Sequence, residues 1–123
     1  MKKILTSFFL LVCCFVSKAN NVVISNVSIV NNGPGNVQVK FDLSWDNSWR
    51  TNVGPANYDG AWVFFKYKTA GGDWTHLNMT ASNIVIPGGF DYYQNAGSNK
   101  IGTMIFRDDN NLGTGSVSAT NIR

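Results

Sequence analysis

The stretch VQVKFDLSW, residues 37–45, alternates apolar and polar side chains without interruption. Successive strand residues point to opposite faces, so a period of two predicts a strand with one buried face and one face in water. This pattern is typical of antiparallel sheets. We therefore predict an antiparallel all-β fold, and the buried face of this strand should carry Val37, Val39, Phe41, Leu43 and Trp45.

Shorter strand patterns lie on both sides of this stretch, separated by glycine, asparagine and proline. Residues 22–30 are rich in valine and isoleucine and predict a first strand, broken at Asn26, that forms a hairpin with residues 37–45. Residues 62–69 predict a third strand, which we expect in the middle of a sheet because its first half is apolar on both faces. Further strands are predicted at residues 74–80, as a hairpin partner of the third strand, at residues 84–86 and 101–107, and from about Ser116 onward.

The composition favours the same fold class. All seven acidic residues are aspartates, and the chain has 12 glycines and no glutamate. Glutamate favours helices, whereas glycine, asparagine and aspartate favour turns. A series of short strands separated by such turns predicts an immunoglobulin-like β-sandwich. The last predicted strand stops in mid-pattern at Arg123, and folded proteins usually protect their sheet edges, so we expect the natural domain to continue past that residue.

The first 19 residues have the layout of a secretory signal-peptide helix. Two lysines precede a largely apolar run at residues 4–16, and the small residues Ser17 and Ala19 stand at the minus-three and minus-one positions of a cleavage site. The run is shorter than the roughly 20 residues that a membrane-spanning helix needs. We therefore predict a signal peptide at residues 1–19 and a mature domain at residues 20–123, without a membrane span, that is exported to the periplasm, the cell surface or the medium.

Cleavage would also change the chemistry of the chain. Both cysteines, Cys13 and Cys14, lie in the leader, so the mature domain would have no disulfide, cysteine metal site or thiol nucleophile. A lipid anchor is the alternative, but Val12 stands before Cys13 where such an anchor needs a small residue. Seven basic residues would remain against seven acidic ones, and this neutral balance argues against a nucleic-acid partner.

Catalytic patterns are sparse. His76 is the only histidine, and it is more readily explained as a structural residue than as part of a triad. Residues 108–113 partly resemble a calcium loop, but Leu112 replaces an oxygen ligand, which favours a polar turn. We predict no catalytic residue, no metal site and no cofactor.

Residues 43–67 join two predicted strands and concentrate aromatic and charged side chains. One hypothesis is a secreted carbohydrate-binding module, in which exposed rings form a flat platform for a sugar. Trp45 belongs to the predicted core, so the platform would come from later residues. The candidate ligand or interface residues are Trp49, Arg50, Tyr58, Asp59 and Trp62, and the rings of the platform are Trp49, Tyr58 and Trp62.

The other hypothesis for this stretch is a structural clasp. Residues 46–48 are expected to form a tight turn, because short polar side chains bond nearby backbone groups. Arg50 is expected to pair with Asp46 or Asp59, and its guanidinium to stack on Trp49 or Trp62. Such contacts would hold a long connection against the sheets without any ligand.

The motifs FDLSWDNSWR (residues 41–50), GPANYDGAWVFFKY (residues 54–67) and GDWTH (residues 72–76) resemble the N-terminal β-domain of secreted bacterial proteins of the formylglycine-generating, sulfatase-modifying-factor family. The resemblance implies a non-catalytic accessory domain that packs against or positions a catalytic-type domain normally C-terminal to it. It also implies further strands beyond Arg123. Enzymatic members of the family oxidise a substrate cysteine with copper held by a cysteine pair, and no cysteine after residue 19 matches that pair.

Overall fold

The computed structural model of the protein describes residues 20–31, 33–34, 36–80, 84–94, 100–108 and 113–123. Across these ranges the chain forms nine β-strands and no helix, and every strand pairing is antiparallel. The predicted antiparallel all-β fold is confirmed, whereas the predicted signal peptide lies outside the described residues. The strands are β1 (Val23–Asn31), β2 (Val37–Thr51), β3 (Asn57–Tyr58), β4 (Ala61–Phe64), β5 (Lys66–Tyr67), β6 (Thr75–His76), β7 (Phe90–Tyr93), β8 (Gly102–Arg107) and β9 (Gly113–Ile122).

β2 is the central strand of the largest sheet, which we call the β2 sheet and which contains β1, β2, β3 and β9. Leu43 pairs with Ile24 of β1 and with Ala119 of β9, so these two strands flank β2 on opposite sides. Farther along β2, Arg50 pairs with Tyr58 of β3 on the side that β9 does not occupy. The predicted hairpin between the first two strands is confirmed.

β2 continues through the residues that were expected to form a turn. The tight turn predicted at residues 46–48 is wrong, because the strand continues to Thr51 and keeps pairing with β9. These residues form a bulge instead of a turn. Asn47 has a φ of 55°, and the register with β9 shifts between Trp45 and Ser48. The extra residue brings Trp45 and Ser48, three positions apart, to the same buried face.

β1 is interrupted at Asn26, as predicted. Asn26 has a φ of 52°, and the register with β2 shifts between Ser25 and Ser28. The Asn26 side-chain amide donates a hydrogen bond of 2.6 Å to the carboxylate of Asp42 on β2. Asparagine tolerates a left-handed backbone better than most residues, so the residue type suits the bulge.

The second sheet, which we call the β8 sheet, contains β4, β8 and β7 in that order. The third predicted strand, residues 62–69, is split: Ala61–Phe64 pairs with β8, whereas Lys66–Tyr67 forms a hairpin with β6. Between the two halves, the Phe65 carbonyl accepts a hydrogen bond of 2.9 Å from the Leu77 amide, which directs the chain toward β6. The expected central place of this strand is wrong, because β4 is an edge strand with only one face buried.

The other predicted strands differ from the structure mainly in their ends. Residues 101–107 correspond to β8, and the last strand begins at Gly113 rather than near Ser116. The predicted strand at residues 74–80 is shortened to the two residues of β6, where it forms the predicted hairpin. Residues 84–86 form no sheet strand, although Val85 and Arg123 exchange backbone hydrogen bonds.

The core lies between the β2 sheet and the β8 sheet. Phe41, Leu43 and Trp45 are buried, as the period of two predicts. Burial along β2 decreases toward its hairpin with β1, where Val39 is half-buried and Val37 is exposed. The prediction of the buried face is therefore right only from Phe41 onward. The rest of the buried apolar cluster is Ala61, Val63, Ile105, Ala119 and Ile122.

Candidate binding surface

The Asp59 carboxylate ties the loop after β3 to β2. It accepts three hydrogen bonds of 3.0 Å each, from Trp45 Nε1, from Ser48 Oγ and from the Trp49 amide. The Asp59 amide donates a further bond of 3.1 Å to the Trp49 carbonyl. We call these four residues the Asp59 clasp. Because the bulge at Asn47 places Trp45 and Ser48 on one face, a single carboxylate satisfies both buried donors.

Arg50 contacts different residues from those predicted. Its Nε donates to Asn52 Oδ1 at 3.3 Å, and its guanidinium also donates to the carbonyl of Arg107 on β8. The guanidinium carbon lies 5.1 Å from the centre of the Tyr58 ring, within the range of a cation–π contact. The predicted clasp through Arg50 is therefore wrong: Asp59 holds the loop against β2. Arg50 instead connects β2 to β8.

Two other aspartates hold strands of the β2 sheet together. Asp46 accepts a hydrogen bond of 2.6 Å from Ser116 Oγ of β9 and one of 3.3 Å from Asn21 Nδ2. Asp42 accepts from Asn26 Nδ2 and, at 2.7 Å, from the Asn121 amide of β9. Bonds that form to the carboxylate favour its charged form.

The pKa of Asp42 is consequently lowered from its ordinary value, first by the hydrogen bond from Asn26 and then by the one from Asn121. Desolvation acts in the opposite direction and is outweighed, and Lys40 on the same face of β2 lowers the pKa slightly further. Asp42 thus lies between the bulge of β1 and the irregular end of β9, where Asn121 has a φ of 60°. Its role is to hold two neighbouring strands in their irregular conformations.

The outer face of the β8 sheet carries a group of exposed rings. Trp62 and Tyr93 both pair with Met104 from opposite sides, so the three side chains form a row across the sheet. Phe64 lies on the same face, two residues beyond Trp62. Trp62, Phe64 and Tyr93 are 55%, 48% and 57% exposed. We call Trp62, Phe64, Tyr93 and Met104 the aromatic face.

Two glycines allow the side chains of the aromatic face to lie close to the backbone of the β8 sheet. A Cβ atom at Gly102 would come within 2.7 Å of two ring carbons of Trp62, so the indole sits where any other residue would place its side chain. A Cβ atom at Gly60 would likewise meet the Met104 methyl group at 2.8 Å. The position of the Trp62 ring is therefore set by packing even though half of its surface is exposed.

The aromatic face is bordered at both ends. On β8, Phe106 follows Met104 on the same face and is covered by the Tyr58 ring at a centroid distance of 4.6 Å. At the other end, the Phe64 ring contacts the His76 ring at 5.5 Å. The whole surface thus runs from Tyr58 beside Arg50 to His76 of β6.

The five candidate residues of the sequence do not form one platform. Tyr58 and Trp62 belong to the aromatic face and its border, Arg50 stacks on Tyr58, and Asp59 is engaged in the clasp. Trp49 alternates with Ser48 and Arg50 along β2, so its side chain leaves the opposite face of that strand.

The five candidate residues predicted from the sequence do not include three members of the aromatic face, namely Phe64, Tyr93 and Met104. The alternation of Trp62 and Phe64 within AWVF was the available signal, since Ala61 and Val63 occupy the other face. Tyr93 and Met104 lie about 30 and 40 residues farther along the chain. Their alignment with Trp62 depends on how β4 and β7 pair with β8, and no pattern in the sequence predicts that pairing.

A cleft of about 470 Å³ opens between the two sheets. Phe41 and Ile105 line it from the two sheets, and Phe65 and Ile86 line it from the connecting segments. The Phe41 and Phe65 rings meet edge to face at 5.7 Å. Because these residues belong to the core or pack against it, we interpret the cleft as the uncovered end of the core.

Within the described ranges, no group of three or more histidine, cysteine or acidic side chains is arranged to hold a metal ion. No helix in that part of the chain is long and apolar enough to cross a membrane. Most of the loop considered for calcium, residues 108–113, lies outside the described residues.

No known protein family, no curated protein and no solved structure matches this chain.

Proposed function

We propose that the chain is an exported, non-catalytic accessory β-domain that packs against a partner protein domain through the aromatic face. The observation that carries this proposal is the placement of three large aromatic side chains, Trp62, Phe64 and Tyr93, on one exposed face of one sheet. Exposed groups of apolar side chains are uncommon on monomeric proteins and mark contact sites.

The chemistry of the aromatic face favours a protein partner over a sugar. Aromatic residues and methionine are enriched in the buried centres of protein interfaces. Met104 lies between Trp62 and Tyr93 in the row across the sheet, and a flexible thioether can adapt to an irregular partner surface. A sugar site needs several polar groups around its rings, whereas Asp91 is the one charged residue on this face of β4, β8 and β7.

The border of the aromatic face also fits an interface. Protein interfaces combine an apolar centre with a polar rim. Arg50 and Tyr58 supply such a rim, because the guanidinium is held over the Tyr58 ring and bonded to the Arg107 carbonyl. The Asp59 clasp positions this rim, since Asp59 directly follows Tyr58 and is fastened to β2.

The proposal includes the finer predictions from the sequence. The two sheets would form an immunoglobulin-like sandwich, which the apolar core between them supports. Residues 1–19 would be removed on export, which their two lysines and apolar run support. The partner would be a catalytic-type domain, as the resemblance of residues 41–50, 54–67 and 72–76 implies.

Site-specific photo-cross-linking tests the proposal. The full chain, carrying benzoylphenylalanine in place of Phe64, is produced in the cells that naturally make it and irradiated. We expect one discrete protein adduct. The same group in place of Val53, which is exposed in the loop after β2, is the matched control and should give no such adduct.

The identified protein is then purified and its affinity measured. Trp62→Ala should weaken binding roughly 30-fold, the equivalent of about 2 kcal/mol for an aromatic residue at the centre of an interface. Trp49→Ala removes another exposed tryptophan, keeps its backbone amide in the clasp, and should leave the affinity unchanged.

Glycine variants sharpen this test without removing any ring. Gly102→Ala displaces the Trp62 indole and should weaken binding, whereas Gly115→Ala adds a methyl group in open space and should not. An unchanged affinity for Trp62→Ala, or equal adducts from positions 53 and 64, contradicts the proposal. Retention on a glycan array that Trp62→Ala abolishes, with no protein adduct, replaces the protein partner with a sugar.

A further inference from the structure

No strand among the described residues covers the outer edge of β1. Within the described ranges, β1 pairs with β2 alone, and its described side chains are all exposed. The strand VISNVSIVN contains no charged residue and no proline. Folded proteins usually protect such edges with charges, prolines or coverage, because an open apolar edge invites another strand to pair with it. A strand partner is therefore the occupant that this edge fits.

The sequence of β1 reads nearly the same in both directions. In VISNVSIV, residues 23–30, an antiparallel pairing with a second copy can be centred between Asn26 and Val27. This pairing places Val23 opposite Val30, Ile24 opposite Ile29 and Ser25 opposite Ser28 of the second copy. Six of these eight residues thus meet their own type, as a twofold symmetric contact allows, and the central pair places Asn26 opposite Val27.

Because of the bulge at Asn26, the residues that match in type also lie on the same face of the strand. In an unbroken strand, Ile24 and Ile29 would lie on opposite faces, since they are five positions apart. In the structure, Ile24 pairs with Leu43 and Ile29 pairs with Val39, and both partners belong to the core-facing set of β2. The two isoleucines therefore share one face.

The two serines share the other face. Ser25 pairs with Asp42 and Ser28 pairs with Lys40, and both partners belong to the polar set of β2. The symmetric pairing therefore matches faces as well as residue types. An arbitrary extended peptide would have to supply both matches by chance, so a second copy of the chain fits this edge best.

We propose that two copies of this chain form a twofold symmetric dimer by antiparallel pairing of their β1 strands, joining their β2 sheets into one continuous sheet. The Ile24–Ile29 contact occurs twice and continues the core-facing surface across the junction. No charge of β1 opposes the approach of the second copy, because the strand has none. The aromatic face lies on the other sheet, so this contact and the proposed partner site are independent.

Sedimentation velocity on the full chain over a concentration series tests the dimer. Ile29→Lys places a charge in the contact twice and should weaken dimerisation by roughly tenfold or more, since it removes two cross-strand pairs. Val53→Lys is the matched control, because Val53 and Ile29 are 71% and 73% exposed. It should leave dimerisation unchanged, and circular dichroism should show that both variants keep the fold.

A charge-swap variant tests the register. In the double variant Ile24→Asp and Ile29→Lys, each introduced carboxylate lies opposite an introduced ammonium group of the second copy. Dimerisation should recover relative to Ile29→Lys alone. A shifted register would leave both charges without partners, and no recovery would follow.

Cross-linking gives a second, direct measure of register. In a background with Cys13→Ser and Cys14→Ser, the double variant Ser25→Cys and Ser28→Cys should form a disulfide-linked dimer on mild oxidation, because directly opposite residues are close enough to bridge. Ser25→Cys alone should not. A chain that stays monomeric at millimolar concentration, or equal cross-linking of the single and double variants, overturns the proposal.

Discussion

β1 and β9 flank the same central strand, yet every described side chain of β1 is exposed, whereas β9 buries Ala119 and Ile122. At Leu43, which is 1% exposed, the neighbour on β9 is Ala119 at 0% and the neighbour on β1 is Ile24 at 48%. All three residues lie on the core-facing side of the β2 sheet. Backbone pairing is therefore common to both flanks, and what differs is whether the β8 sheet covers the side chains.

This difference separates two contributions to the fold. Strand pairing satisfies backbone donors and acceptors on both sides of β2, but the larger net gain comes from removing apolar surface from water. The β9 side has that gain through Ala119 and Ile122. The β1 side keeps its apolar residues available for another contact, as the proposed dimer requires.

The largest change in the free energy of unfolding should come from a substitution in the part of β2 that the β8 sheet covers. Leu43→Ala should lower the free energy of unfolding by about 3 kcal/mol, because it leaves a cavity beneath the β8 sheet. Ile24→Ala, its pairing neighbour on β1, should cost less than about 1 kcal/mol, because its side chain is half in water already. Urea denaturation at a concentration where the chain is monomeric measures both. Equal losses would mean that β1 is as well covered as β9.

A smaller effect should follow from opening the Asp59 clasp at the covered end of β2. Asp59→Ala should cost about 2 kcal/mol, because Trp45 Nε1 and Ser48 Oγ lose their acceptor in a part-buried site. Asp73→Ala, an exposed aspartate in the turn before β6, is the control and should change the stability little. The near-ultraviolet circular dichroism of Trp45 should change with Asp59→Ala only. A loss no greater than that of Asp73→Ala would show that the clasp is dispensable.

The smallest effect should appear at Asp42, which joins the two flanks through Asn26 and Asn121. The pKa of Asp42 is lowered in the folded chain, so its carboxylate contributes stability above the ordinary aspartate pKa of about 4, and this contribution is lost as the pH falls through the lowered pKa. Wild type should melt at a higher temperature than Asp42→Asn at neutral pH, and the two curves should converge in acid. Parallel melting curves across the whole pH range would contradict this assignment.

Local patterns predicted much of the β2 sheet correctly. The alternation in residues 37–45 identified the core-facing side chains from Phe41 onward, and Asn26 marked the break in β1. The polar residues at 46–48 were misread as a turn, because pairing with β9 holds them in a strand and reduces the turn to a bulge at Asn47. Local preference was overruled there by backbone partners about 70 residues away.

The candidate binding surface was predicted only in part. Trp62 and Tyr58 were recognised as exposed aromatics, but the predicted platform also included Trp49, which leaves the other face of β2. Trp62 pairs with Met104, and Tyr93 pairs with Met104 from the other side of β8. Only the register of the three strands places these side chains side by side. Spacing along the chain carries no information about that register.

The sequence by itself determined that the chain forms antiparallel strands, where the first hairpin and its bulge lie, and which face of β2 is apolar. These features depend on side-chain alternation and on backbone preferences of residues close together in the chain. Only the tertiary structure decided which flank of β2 is covered, which donors Asp59 satisfies and which rings share the outer face of the β8 sheet. The reason is physical: burial and register arise between strands far apart in the sequence, and they follow from how two sheets pack rather than from the pattern within either strand.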